Sequence, residues 1–198
     1  MGYDWADELV HVPYGTVSIN GEKLSTRTGN VVLLRDLFTQ AIDKVSTLIK
    51  EKNPDLENSD EVAEAVGVGA VVFHYLYNNR TKDINFIMED ALSFDGSTGP
   101  YAQYTYARTC SVLSKAGQPD LNAVAHITAD EEADVLKAVA RFPERVQAAL
   151  EEYEPSIITR YIIELCTAFN RFYHNCPIMT AGDDAVKNTR LRITKAAG

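Results

Sequence analysis

The chain has 198 residues, of which 45% are hydrophobic and 24% charged, and a formal net charge of −9. This length allows one large domain or two small ones, and the composition is that of an ordinary soluble globular protein. No apolar run is long enough to span a membrane, and the start Met1-Gly2-Tyr3-Asp4-Trp5 lacks the basic and apolar segments of a signal peptide, so a cytoplasmic location is expected.

Residues 1 to 33 read as mixed structure. Thr16-Val17-Ser18-Ile19 alternates like a short strand, and Asn20-Gly21 is a strong tight-turn pair. From Leu34 the period becomes helical, with Leu34, Leu37, Phe38, Ala41, Val45, Leu48 and Ile49 on one face. That helix should stop near Asn53-Pro54, because proline disfavours a helical residue before it. A second helix is expected after Asn58-Ser59, with the stripe Val62, Val66, Ala70, Phe73 and Tyr77. Gly67 and Gly69 lower its propensity, which points to close approach of another backbone. Asp83 to Met88 reads as a short extended segment and Asp95 to Pro100 as a loop. Thr98 then caps a helix with Gly99 and Pro100 in its first turn, running to about Lys115 and ending at Gly117. Further helices are expected near 130–141, 143–153, 156–174 and 183–196, the third with the stripe Ile158, Tyr161, Ile162, Leu165, Phe169, Phe172 and Tyr173. The carboxy-terminal half therefore reads as an all-helical bundle with short connections. The one break in composition lies near Asp95 to Thr98, which sets the expected domain boundary.

The cysteines Cys110, Cys166 and Cys176 are too few and too scattered for a disulfide framework or a zinc site, and are read as reduced thiols, buried or half-buried. The histidines His11, His74, His126 and His174 show no metal-site spacing. His74 is read as a satisfied core histidine, and Glu89-Asp90 as a solvated turn or helix start. The acidic balance opposes general nucleic-acid binding. Its distribution is uneven, however. Lys187, Arg190, Arg192 and Lys195 lie in a tail without acidic residues, and screening beyond roughly 10 Å lets such a local patch act by itself.

Three runs could carry chemistry. Lys23-Leu24-Ser25-Thr26-Arg27-Thr28-Gly29-Asn30 packs cations, hydroxyls and a glycine into one loop. It reads either as a phosphate-binding loop or as a solvated hairpin tip; the spacing is not that of a P-loop. Asp95-Gly96-Ser97-Thr98-Gly99-Pro100-Tyr101-Ala102-Gln103-Tyr104-Thr105-Tyr106-Ala107-Arg108 opens a helix on which Tyr101, Tyr104 and Arg108 share a face. That face could stack bases or pack in the core. Asn170-Arg171-Phe172-Tyr173-His174-Asn175-Cys176 closes the stripe of the helix expected near 156–174, where Tyr173 is a half-buried core residue or a stacking surface.

In this order and spacing the runs resemble the carboxy-terminal part of an arginyl-tRNA synthetase, a class I aminoacyl-tRNA synthetase. The first is similar to the family's variant of the KMSKS loop, Lys-Met-Ser-Thr-Arg-Lys-Gly-Asn. Leu24 stands for Met, and Thr28 stands for Lys, which removes a positive charge. The second is similar to Phe-Asp-Gly-x-Thr-Gly-Pro-Tyr-x-Gln-Tyr-x-x-Ala-Arg, where the catalytic core meets the helical bundle. The resemblance implies residues 1–96 as the end of a class I α/β catalytic domain and residues 97–198 as a mostly α, DALR-type anticodon-binding bundle, cut inside its last helical region. It implies that Lys23, Ser25, Thr26 and Arg27 act electrostatically on ATP phosphates. It makes Gly99, Pro100, Tyr101, Gln103, Tyr104 and Arg108 a coupling hinge, and places Tyr173, Pro177 and Met179 at the middle anticodon base. Some relatives have an aromatic residue where Pro177 stands.

The implied substrates are arginine, tRNA(Arg) and ATP with Mg2+, with no metal bound by the protein itself, no membrane and no DNA; a monomer is expected. The HIGH-type motif of the family's nucleotide-binding fold does not occur in the sequence, so the chain is expected to be inactive alone. A freestanding tRNA-binding module and a helical scaffold are the competing readings.

Overall fold

The computed structural model describes residues 2–24 and 31–198. Two strands open the fold. β1 (Val17–Ile19) pairs antiparallel with β2 (Glu22–Lys23) across the Asn20-Gly21 turn. Both turn residues have positive φ, 52° and 81°, the conformation a two-residue hairpin needs. α1 (Leu34–Lys52) and α2 (Ser59–Tyr77) follow as a helical pair. The chain then returns as β3 (Ile84–Phe86), parallel to β1, which gives the sheet order β2-β1-β3. A single turn, α3 (Met88–Ala91), carries Glu89, which pairs with Lys44 of α1.

The rest is helical: α4 (Gly99–Ala116), α5 (Asp130–Ala140), α6 (Phe142–Glu152), α7 (Ser156–Asn175) and α8 (Asp184–Ala197). Thr98 caps α4 as its sequence implies. Its hydroxyl accepts from the Tyr101 N–H at 3.2 Å, with Pro100 in the first turn. Gly117, at φ 82°, ends the helix.

Two apolar clusters form the core. One joins α1, α2 and the β3–α3 segment around Ala41, Ala70, Val71 and Phe86. The other joins α4, α5, α7 and α8 around Val135, Phe169, Phe172 and Ile193. α2 lies between them and is covered on more than one side. Its buried residues are therefore Ala63, Gly67, Ala70 and Val71; of the expected stripe Val62, Val66, Ala70, Phe73 and Tyr77 only Ala70 is fully buried, and the others are half-buried. Small residues fill these buried positions because neighbouring backbones come close. A Cβ on Gly67 would lie 2.9 Å from the Ile42 nitrogen and 3.0 Å from the Ala41 carbonyl carbon. The neighbour of Gly69 is a side chain instead of the expected backbone: a Cβ there would meet the Gln103 Nε2 at 2.6 Å. We expect Gly67→Ala to lower the urea midpoint. Overpacking against backbone costs about 1–3 kcal/mol and outweighs the ~1 kcal/mol gained in helix propensity. An unchanged or raised midpoint would show that the helices can separate freely.

Across the two cores runs a polar clasp. The Arg80 side chain donates to the carbonyls of Pro13, Glu152 and Tyr153 at 3.1, 3.1 and 2.8 Å. The last two are free carbonyls at the C-terminus of α6, where a cation is favoured. In return, the Glu154 carboxylate accepts from Asn79 Nδ2 at 2.8 Å and from the Ser156 N–H, at the start of α7, at 3.2 Å.

Candidate functional site

α4 and α7 cross where each presents polar residues amid its apolar ones. The Arg108 guanidinium lies over two rings, 4.8 Å from the centroid of Tyr104 and 4.8 Å from that of Tyr173. One ring comes from its own helix one turn back; the other comes from the last turn of α7. Asn170, one turn before Tyr173, fixes the crossing. Its carbonyl accepts from Arg108 Nη1, and its amide donates to the Tyr101 hydroxyl at 3.0 Å and the Thr105 hydroxyl at 2.9 Å.

This cluster forms one wall of an open cavity of about 650 Å³, lined by Tyr104, Arg108, Ser111, Lys115, Tyr173, His174, Pro177 and Met179, among others. Tyr104 is 54% exposed, Tyr173 41% and Met179 44%. Among the described residues Arg108 has no carboxylate partner and no hydrogen bond other than that to Asn170. The cavity thus offers exposed aromatic faces, an unneutralised planar cation and a nearby lysine. Such a surface suits planar, electron-rich rings and phosphate.

The structure gathers Tyr104, Arg108, Tyr173, Pro177 and Met179 at this one cavity. It places the other hinge candidates of the second run elsewhere. Gly99 and Gln103 face α2: a Cβ on Gly99 would lie 2.9 Å from the Gly69 carbonyl oxygen, and Gln103 Nε2 donates to the Ala65 carbonyl at 2.9 Å. Gly99 and Pro100 are buried in a tight helix–helix junction, and the positive φ of this segment falls at Gly96, 86°. Tyr101 sits behind the cavity, bound to Asn170. Lys23 lies on β2 and is exposed, while Ser25, Thr26, Arg27 and Thr28 lie outside the described residues.

Two expectations need correcting. The basic tail is not a free patch. The half-buried Arg190 pairs with the buried Glu132, Arg192 donates to the Ala123 carbonyl at 2.6 Å, and Lys195 bonds Gln118 at 2.9 Å. These contacts pin the tail to the connection between α4 and α5; only Arg190 meets a carboxylate, and Arg192 and Lys195, bonded to neutral oxygens, keep their charge. Cys110 is exposed, not buried or half-buried, while Cys166 and Cys176 are buried, and all three are free thiols. Burial pushes the Cys166 and Cys176 thiols up, which suits inert core residues. His74 is partly buried edge-on to Phe86, and its burial holds its pKa below the ordinary value.

Asn170 opens the third run, but residue-by-residue reading gives it no role of its own. Its position three residues before Tyr173, on the same helical face, is the only trace of its place in the cavity wall.

Residues 102–198 match the DALR anticodon binding domain, and residues 1–88 match the catalytic domain of class I (R) tRNA synthetases. The chain is 46% identical over 199 residues to the arginine–tRNA ligase of Alkaliphilus metalliredigens, with 99% of the chain and 35% of the relative covered. To that of Halothermothrix orenii it is 47% identical over 198 residues, covering the same shares. The fold superposes on the arginyl-tRNA synthetase of Thermus thermophilus with a TM-score of 0.83 at 31% identity, over 93% of this chain and 32% of that one. The Plasmodium falciparum arginyl-tRNA synthetase gives a TM-score of 0.78 at 21% identity, over 94% and 32%, a likeness of fold. The chain spans about a third of the length of the curated relatives it matches.

Proposed function

Since the chain belongs to the arginyl-tRNA synthetase family, joining the end of a class I catalytic domain to a DALR domain, we propose that it serves arginine–tRNA ligation. In that reaction a carboxylate oxygen of arginine attacks the α-phosphate of ATP, giving arginyl-adenylate and pyrophosphate. A terminal ribose hydroxyl of tRNA(Arg) then takes the arginyl group and releases AMP. This chain's share is the phosphate loop around Lys23, Ser25, Thr26 and Arg27 and the anticodon surface around Tyr173. Magnesium arrives with the nucleotide as part of the substrate. The protein acts as a monomer in the cytoplasm.

One observation carries the anticodon reading: in a chain of net charge −9, Arg108 is left without a carboxylate among the described residues, over the rings of two exposed tyrosines. The guanidinium is held by attractive contacts yet keeps its charge at an open cavity, and splayed loop bases are ligands that stack on aromatic and guanidinium planes. Gly99, Pro100 and Gln103 serve as a rigid junction that transmits the position of α4 to α2 and so towards the catalytic end. Tyr101, through Asn170, ties that junction to the cavity.

The test is to mix the purified chain with arginine, ATP, Mg2+ and tRNA(Arg), and to follow both tRNA binding and arginyl-tRNA formation. Binding without product is expected, because the HIGH-type motif does not occur in this sequence. Product formed by the chain alone would overturn the assigned division of labour, and no binding at all would overturn the RNA surface.

A further inference from the structure

We propose that Asn170 is the positioning residue of this surface: it holds the Arg108 guanidinium over the Tyr104 and Tyr173 rings, so that RNA meets a preformed cation–aromatic cluster. The proposal rests on the RNA reading of the cavity and deepens it.

The hydrogen-bond chemistry at Asn170 allows one arrangement. Arginine can only donate, so the Asn170 oxygen must face Arg108 and its nitrogen must face the hydroxyls. The Thr105 hydroxyl already donates to the Tyr101 carbonyl at 2.9 Å. It can therefore only accept from Asn170, at 2.9 Å. The second amide hydrogen goes to the Tyr101 hydroxyl at 3.0 Å. All three bonds point the same way, and the amide cannot turn over without setting donor against donor at Arg108. The side chain that orients Arg108 is thereby locked by two hydroxyls of α4, one of them buried.

Among the described residues Asn170 is the only group that hydrogen-bonds the guanidinium. The two rings attract the cation, but ring contacts are far less directional than a hydrogen bond. Asn170 supplies the directional contact that sets which N–H groups face the cavity. An asparagine orients Arg108 without neutralising it; an aspartate would orient it and cancel the charge. The choice of amide over carboxylate fits a surface whose ligand is anionic.

The test compares Asn170→Ala, Asn170→Asp and Arg108→Ala in the 198-residue chain. The first readout needs no RNA. In the wild type the Arg108 Cδ protons, adjoining a guanidinium held over two rings, should resonate upfield of the free-arginine position in proton NMR. Asn170→Ala should return them towards the free-arginine position, and Asn170→Asp should leave them upfield. The second readout is affinity for the anticodon stem-loop of an arginine tRNA. Asn170→Ala should weaken it about fivefold, the scale of one ordered cation–π contact, and should have no further effect in an Arg108→Ala background. Asn170→Asp should also weaken it, with the salt dependence shallower by about one unit, because one cation is neutralised. A thermal melt of each variant checks folding, and Asn170→Asp preserves the test if Asn170→Ala does not fold.

Upfield resonances unmoved by Asn170→Ala would overturn the proposal, as would additive effects of Asn170→Ala and Arg108→Ala on affinity. If Asn170→Ala shifts the resonances but the wild type binds no RNA, the positioning stands and the RNA reading of the cavity falls.

Discussion

Arg190→Ala should cost about 3–5 kcal/mol of folding stability, the range for removing one partner of a buried ion pair. Glu132 is fully buried. Its carboxylate accepts from the Thr128 N–H at 2.6 Å, the Ala129 N–H at 3.2 Å and Arg190 Nε at 2.6 Å. The same guanidinium donates to the Pro177 carbonyl at 2.7 Å and the Thr128 hydroxyl at 3.2 Å. Without Arg190 the carboxylate stays buried with its cation gone, and the Pro177 turn loses its tie to α8. Since a domain of this kind has about 5–15 kcal/mol in total, the urea midpoint should fall steeply. A change of less than about 1 kcal/mol would contradict the account of this pair. Replacing both partners by apolar residues should be milder than Arg190→Ala, because no uncompensated charge then remains.

The same pair makes stability depend on pH. Burial raises the Glu132 pKa, but the hydrogen bonds from Thr128, Arg190 and Ala129 and the charge of Arg190 outweigh it. The carboxyl is held below its ordinary value of 4.5. A group with a depressed folded pKa contributes stability above its unfolded pKa and loses it as pH falls through the folded one. The wild type should therefore weaken on acidification below about 4.5. Arg190→Ala, which removes part of the cause of the depression, should show a flatter acid limb.

The second large effect falls on binding. Tyr173→Ala should weaken RNA binding about 5- to 150-fold, which is ~1–3 kcal/mol for one base stack. The ring is 41% exposed and stacks on Arg108 at the cavity rim, so the melting temperature should move little. Tyr173→Phe keeps the stacking face and should keep most of the affinity. A large loss of stability in Tyr173→Ala with unchanged RNA affinity would make Tyr173 a core residue and favour the helical-scaffold reading.

What the sequence discloses here depends on the range of the interaction. The Asn20-Gly21 turn, the Thr98 cap with Pro100, the stop at Gly117 and the two long helices up to Tyr77 are all local, and all are found where the residues place them. α7 likewise buries Tyr161, Phe169 and Phe172 of its expected stripe. α2 departs from its pattern because its neighbours, invisible from its own periodicity, cover more than one face. The tail cations read as a patch because Arg190 lies 58 residues from Glu132, and nothing local reveals that partner. The cavity is the same case: Arg108 and Asn170 are 62 residues apart. Tyr104 and Tyr173 could be singled out as exposed-type aromatics at helical spacing, but only the crossing of α4 and α7 shows that one guanidinium lies over both rings.

The most direct measurement of the central claim is a fluorescence-anisotropy titration of the chain against two transcripts, an arginine tRNA and the same tRNA altered only at the middle anticodon base. Tighter binding to the unaltered transcript is expected, with the preference lost in a Tyr173→Ala variant that remains folded. Equal affinity for both transcripts would contradict an anticodon-reading surface at Tyr104, Arg108 and Tyr173.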